Sequence, residues 1–325
     1  MKLRSFIQFT APSVLLMIGL LALPLLMAFW LSVHNCALDL ELVNVQQSGP
    51  FGTQEVTTQR ARIGPDGRAM QQCGFVGTEY YRKLLGLDGA ANGDAQKTTE
   101  FWGALRFTLA YTLITTPFVL GGGLLLALAI NRVGQRLKGA FIAASMLPYI
   151  ITPVVGALAI KWLFRDNGLV PHLLAKVGIQ VFWMAQAWSA QLLIMVYGIW
   201  HVLPFAFIVL YAGLQSVPQD ALEAATIDGA SRWQKLRHVT LPHLMPLIVF
   251  ITLIHLMDAY RVFEPVVVLT QGAFTTSVQY LTYSILLQED NPYKASAAAV
   301  LTVIGIALLL IPLLRKTWRE QRKGF

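Results

Sequence analysis

Charge is scarce in this sequence: Asp, Glu, Lys and Arg make up 13% of its 325 residues, while 55% are hydrophobic. A water-soluble domain of this length carries about a quarter charged residues, so a soluble globular enzyme is excluded as the class. Cysteine is scarcer still, with Cys36 and Cys73 alone, and neither they nor the histidines fall at metal-ligand spacing. No phosphate loop of the G-x-x-x-x-G-K-[ST] type occurs, and no nucleophile has a plausible base beside it, which excludes covalent chemistry or ATP hydrolysis by this chain. The run Gly121, Gly122, Gly123 lacks the following Lys and Ser/Thr and lies in apolar sequence, so it reads as close helix packing or a bend. The net charge of +8 is not gathered into one patch with interleaved aromatics, which excludes a nucleic-acid partner.

What the chain has instead is long apolar runs. Six of them approach or exceed the roughly 20 residues that cross a hydrocarbon core: 11–33, 101–130, 139–164, 187–214, 243–269 and 294–314. An all-α integral membrane protein of six transmembrane helices is therefore expected. Basic residues fix its orientation. Lys2 and Arg4, then Arg132, Arg136 and Lys138, then Arg232, Lys235 and Arg237, then the tail of 315–325 fall on one side, while the two short loops on the other side and their edges hold only Arg165, Lys176 and Lys294. The positive-inside rule puts both termini in the cytoplasm. The first run is too long for a signal-peptide core and ends without an A-x-A site, so it reads as an uncleaved helix over 1–34.

One sizeable polar region, 35–100, should then face outside. Residues 38–45 alternate apolar and polar as a strand does, and Gln59–Ile63 before Gly64-Pro65-Asp66-Gly67-Arg68 reads as strand and turn. A small β-rich insert is expected, with Cys36 and Cys73 as a disulfide pair or as free thiols on the oxidising side. The transmembrane core follows over 101–314.

The other polar island, 217–246, faces inside. Asp220 can cap a helix that carries Glu223 in its first turn, Gly229 can break it, and Ser231 can cap a second helix reaching Val239. Leu241-Pro242 should end that second helix, because proline has no amide hydrogen and pushes its predecessor out of helical geometry. Two short helices meeting at a bend, with one face free, are expected.

Ionisable groups within membrane spans are costly and need an explanation. His255, Asp258, Arg261 and Glu264 recur at steps of three in the fifth span, so that Asp258 and Arg261 can pair on one face. His201 lies at mid-depth of the fourth span near Phe205. His201, Phe205, Asp258, Tyr260 and Arg261 offer the donors, acceptors and flat faces that a sugar requires. The same residues can equally be a structural ion pair and a packing histidine.

The island 217–246 resembles the EAA loop of importer-type ATP-binding-cassette permeases. Glu223, Ala224, Ala225, Asp228, Gly229, Ala230, Leu236, Val239, Leu241, Pro242 and Pro246 match its pattern in order, with Leu236 where the family has Phe. Phe75–Leu85 and Phe101–Thr108 resemble the entry motifs of binding-protein-dependent sugar permeases of the maltose (MalF) class. Asp258–Glu264 and Val268–Gly272 are similar to the family's D-x-x-R-V-F-D and V-L-T-x-G segments. The resemblance implies a non-catalytic subunit of a bacterial inner-membrane importer in which the loop is a coupling helix. It further implies two partner ATPase subunits that hold ATP and Mg, a second permease subunit, and a periplasmic or lipid-anchored solute-binding protein. A sugar is the expected solute, with a polyol or glycerol phosphate as the rival. A proton-coupled secondary transporter relaying through Asp258 or Glu264 is the alternative of a different class, and it would need no bent internal loop.

Overall fold

The computed structural model describes residues 3–49, 52–65, 67, 70–87 and 95–323. It is helical, with a minor strand region and two compact units. The first unit holds residues 1–95 with 285–301, and the second holds 96–284 with 302–325.

In the first unit, α1 (Leu3–Val33) is apolar around its whole circumference and contains Pro12 and Pro24. Its leucines between residues 15 and 26 are exposed, and none of its most apolar stretch is buried, as in a helix whose solvent is lipid. The backbone runs straight on into β1 (His34–Leu38). The strands β2 (Leu40–Gly49) and β3 (Gly52–Ala61) form an antiparallel ribbon, while β1 pairs with β4 (Gln71–Phe75). The two ribbons are successive storeys of one long hairpin, joined where Asp39, Arg62 and Met70 exchange backbone hydrogen bonds of 2.7–2.9 Å. Arg62 also reaches the carboxylates of Asp39 and Glu41 at 3.3 and 3.4 Å. The expected turn at 64–68 lies partly outside the described residues.

Cys36 and Cys73 are directly opposite in the β1–β4 register and form a disulfide. The Tyr293 hydroxyl donates to the Cys36 carbonyl at 3.0 Å. A short helix, α2 (Glu79–Leu85), closes on Gly86 in the left-handed conformation, and the Tyr81 hydroxyl donates to Ser32 Oγ at 2.6 Å.

The second unit is built on α3 (Ala95–Asn131), α7 (Ala187–Gln215) and α10 (Leu241–Tyr260). The helix α7 lies between the other two: Phe207 and Leu210 share a core with Val119 and Ala127 of α3 and with Leu244 and Ile251 of α10. Close approach of α3 to α7 depends on the glycine run. A Cβ on Gly122 would sit 2.6 Å from Leu203 Cδ1, and one on Gly123 would sit 3.0 Å from the α7 backbone, whereas Gly121 faces open space. Thr108, Thr112 and Thr115 of α3 are buried, and the last two donate back to carbonyls four residues earlier, so their hydroxyls are satisfied in apolar surroundings.

Three expectations are corrected or sharpened here. Pro148 and Pro153 predict a kink in the third run, and the structure goes further. The run divides into α4 (Gln135–Ile150) and α5 (Pro153–Phe164), and the pair, with α5 carried on through α6 (Leu169–Lys176), is bent by 92°. Thr152, immediately before Pro153, is extended, as the proline ring demands. The fifth helix stops at Tyr260 and not near 269; Arg261 is its C-cap, and a π-helical turn, Val266–Thr270, follows separately. Finally, α11 (Val278–Leu287) precedes α12 (Pro292–Lys323) in a stretch with no expected element. Among the described residues, five helices are long and apolar enough to cross a membrane, and the number reaches six if the bent pair counts as one span.

Candidate functional site

Two places carry the sequence-predicted site residues. At the first, α8 (Gln219–Ile227) starts after Pro218, so Asp220 lies within its first turn and makes no cap hydrogen bond, contrary to its expected role. Proline's fixed φ and the negative charge in the first turn perform the start instead. The helix buries no residue: Glu223, Ala224 and Asp228 are exposed, Ala225 is half-buried, and Ile227 is 86% exposed. Gly229 has φ +73°, the left-handed region that glycine enters without penalty, and the next amide, of Ala230, turns back onto the Ala225 carbonyl at 2.9 Å.

Ser231 then opens α9 (Arg232–Lys235) with a full capping box: its amide donates to Gln234 Oε1 at 2.7 Å, and its hydroxyl accepts from the Gln234 amide. Lys235 Nζ bridges the bend to Thr226 Oγ1 at 2.6 Å. Trp233 is 67% exposed beside half-buried Leu236 and Val239.

Leu241-Pro242 does not end this helix. The chain passes through a π-helical segment, Leu236–Thr240, into α10, with the Leu241 amide donating to the Leu236 carbonyl. In the widened turn the missing proline amide falls at a helix start, where no partner is required. The result is a short polar helix, a glycine bend and a second helix continuous with a span.

The second place is a cleft of about 510 Å³ lined from α3, the α4–α5 break, α7 and the end of α10. His201, Phe205, Asp258 and Arg261 line it, as do Glu264 and His255. Its wall is aromatic: Tyr197 stacks on His201 with centroids 5.7 Å apart, and Tyr149 stacks on Phe205 at 5.9 Å. Tyr197 and His201, one turn apart on α7, hold the two sides of the break in the third span. His201 Nδ1 donates to the Pro148 carbonyl at 2.8 Å, and the Tyr197 hydroxyl donates to the Pro153 carbonyl at 2.6 Å. The carbonyl freed by the break is thereby satisfied.

Tyr260 does not belong to this group. It is buried with its ring against Gly305, away from the cleft lining. Asp258 and Arg261 do pair, across the helix end: they approach to 4.0 Å with more than half of each side chain exposed. A pair so placed contributes little to stability and leaves both charges available to the cleft.

Tyr111, Tyr149 and Tyr197 were missed at sequence level, and His255, singled out there with Asp258, Arg261 and Glu264, was left off the pathway. A signal existed for one of them, since Tyr197 precedes His201 by four residues. Among the described residues, no group of three or more His, Cys, Asp or Glu is placed to hold a metal ion.

Residues 119–323, which contain the bend and most of the cleft, match the family model described as "Binding-protein-dependent transport system inner membrane component". The chain belongs to this family. The permease is 30% identical over 309 residues to the trehalose transport system permease protein SugA of Mycobacterium tuberculosis, covering 94% of this chain and 86% of that one. It is 30% identical over 248 residues to the trehalose/maltose transport system permease protein MalF of Thermococcus litoralis, covering 74% and 79%. Among solved structures it resembles a bacterial ABC transporter involved in import of the acidic polysaccharide alginate, with a TM-score of 0.65 and 25% identity over 75% of this chain and 84% of that one. The permease fold, the importer family and the integral membrane character follow from these matches together with the spans.

Proposed function

We propose that this permease forms half of the translocation pathway of an ATP-driven, binding-protein-dependent sugar importer in a bacterial inner membrane. The bend at 217–246 lies in the cytoplasm and docks a partner ATPase through Glu223, Ala224, Ala225, Asp228, Gly229, Ala230, Leu236, Leu241 and Pro242. Both termini and the tail of 315–325 lie on the same side, and the insert of 35–100 faces outward. Two ATPase subunits supply ATP and Mg, a second permease subunit completes the pathway across the core of 101–314, and a solute-binding protein delivers the sugar.

One observation carries the reading: α8 is a nine-residue helix with no residue buried in its own chain. A free helix of that length is marginal in water, and this one is set at a defined angle by Gly229 and the capping box. Such an element is suited to a cleft in another protein. Small Ala224 permits close approach, and Glu223 offers a charge to a basic partner.

In the cleft, stacked aromatic faces at Phe205 and His201 suit the ring carbons of a sugar, while Asp258 and Arg261 suit its hydroxyls. The sugar class rests on the names of the two relatives. Reconstitution of the assembled complex in vesicles tests it, with radiolabelled trehalose and maltose as probes. Uptake and ATP hydrolysis should rise together with one of them. Uptake driven by a proton gradient without ATP would assign the chain to the secondary-transporter class, and stimulation by glycerol phosphate alone would replace the sugar.

A further inference from the structure

His255 is a polar residue of the cleft that the proposed pathway leaves without a task. It lines the cleft yet is only 2% exposed, and its two ring nitrogens are treated differently. Nε2 lies 3.1 Å from Thr115 Oγ1, while Nδ1 is buried with no partner among the described residues.

The hydrogen bonds fix the tautomer. Thr115 spends its proton on the Tyr111 carbonyl at 2.8 Å, so toward His255 its oxygen can only accept. Nε2 therefore carries the ring hydrogen, and Nδ1 presents a bare lone pair. A buried acceptor left unpaired is unfavourable, and the unfavourable term disappears once a donor reaches it.

Asp258, one turn further along α10, cannot supply a proton as a carboxylate, and Arg261 lies beyond the helix end. The hydroxyl donors on the same wall do not supply one either. Tyr197 is committed to Pro153, and Tyr111 packs against Gly198, where a Cβ would collide with its hydroxyl.

We infer that His255 is a specificity-determining residue, whose Nδ1 accepts a hydrogen bond from one hydroxyl of the solute, with Thr115 and the Tyr111 carbonyl as the positioning groups behind it. The inference rests on the cleft being the solute path. In the conformation described here the atom is closed off, so the bond forms only as solute enters and the wall yields. The recognised chemistry is a hydroxyl donor, the group that a neutral polyhydroxylated solute has in abundance and that a deoxy or O-methyl analogue lacks at one position.

The test uses the complete complex in vesicles, with labelled trehalose and maltose and their monodeoxy analogues as probes. Two variants separate the ring nitrogens. Gln places its amide where Nε2 was, so His255→Gln keeps the Thr115 contact and loses the acceptor; His255→Asn places an oxygen near Nδ1 and loses the Thr115 contact.

For the wild type, one deoxy analogue should show a KM raised about tenfold over its parent sugar. His255→Gln should raise the KM for the parent about tenfold and abolish the discrimination, while His255→Asn retains it. Discrimination unchanged in His255→Gln, or lost equally in both variants with the complex assembled, would overturn the inference and leave the sugar assignment standing. Wild-type complex that takes up neither sugar with ATP present would sink the sugar assignment on that arm alone, and this inference with it.

Discussion

The bend at 217–246 and the cleft share α10, yet the chain builds them by opposite means. The bend is local: every residue that shapes it lies within thirty positions, its contacts are hydrogen bonds to near neighbours, and its outward face is left bare. The cleft is assembled from four separate stretches between Tyr111 and Pro265, and its polar groups are held from behind by carbonyls and hydroxyls. The surface proposed for another protein is written as a short motif. The surface proposed for a small solute is written across the sequence, a few residues at a time.

That contrast can be broken most sharply at Gly229. Proline is locked at φ near −65° and cannot occupy a position at +73°, so Gly229→Pro should destroy the bend while the spans still insert. Copurification with the ATPase and ATP-driven uptake should both fall by more than about tenfold, a loss of about 1.4 kcal/mol or more at the docking surface. Glu223→Lys should act in the same direction. Normal uptake by either variant would mean that the bend is not the coupling element.

A smaller effect is expected in the cleft. Asp258→Ala removes a group that faces the cavity and whose ion pair with Arg261 is long and exposed, so KM for uptake should rise about three- to tenfold with assembly intact. Loss of assembled complex on detergent extraction would instead make Asp258 a structural residue. Smallest of all should be Lys235→Ala, which removes the strut to Thr226 across an exposed bend. Uptake should drop by less than about threefold, in keeping with the modest worth of an exposed contact of this kind. An effect as large as that of Gly229→Pro would show that the angle is held by the strut and not by the backbone.

Much of this was legible in the sequence, and the failures have physical reasons. The six apolar runs, the β-rich insert, the breaking role of Gly229 and the cap at Ser231 depend on composition or on neighbours in sequence, and each is present. Leu241-Pro242 was misread as a stop because a proline's cost in a helix depends on the turn before it, and the π-helical segment removes that cost. Tyr260 was placed on the pathway because periodicity gives a face but not the partner that the face meets; a bare glycine at 305, far along the chain, drew the ring away. The bend of 92° in the third span was visible only as two prolines, since nothing local tells a kink from a break satisfied by Tyr197 and His201 from another helix.

From Arg232 to Tyr260 the backbone stays helical for 29 residues, and at about 1.5 Å per residue roughly 40 Å of helix joins the bend to the cleft with no loop between them. If the bend is the docking element proposed above, a displacement at Trp233 reaches His255 and Asp258 along helix alone, through the π-helical segment and Pro246. The proposed solute wall and the proposed docking face thus share one unbroken run of helical backbone, the shortest route by which either could influence the other.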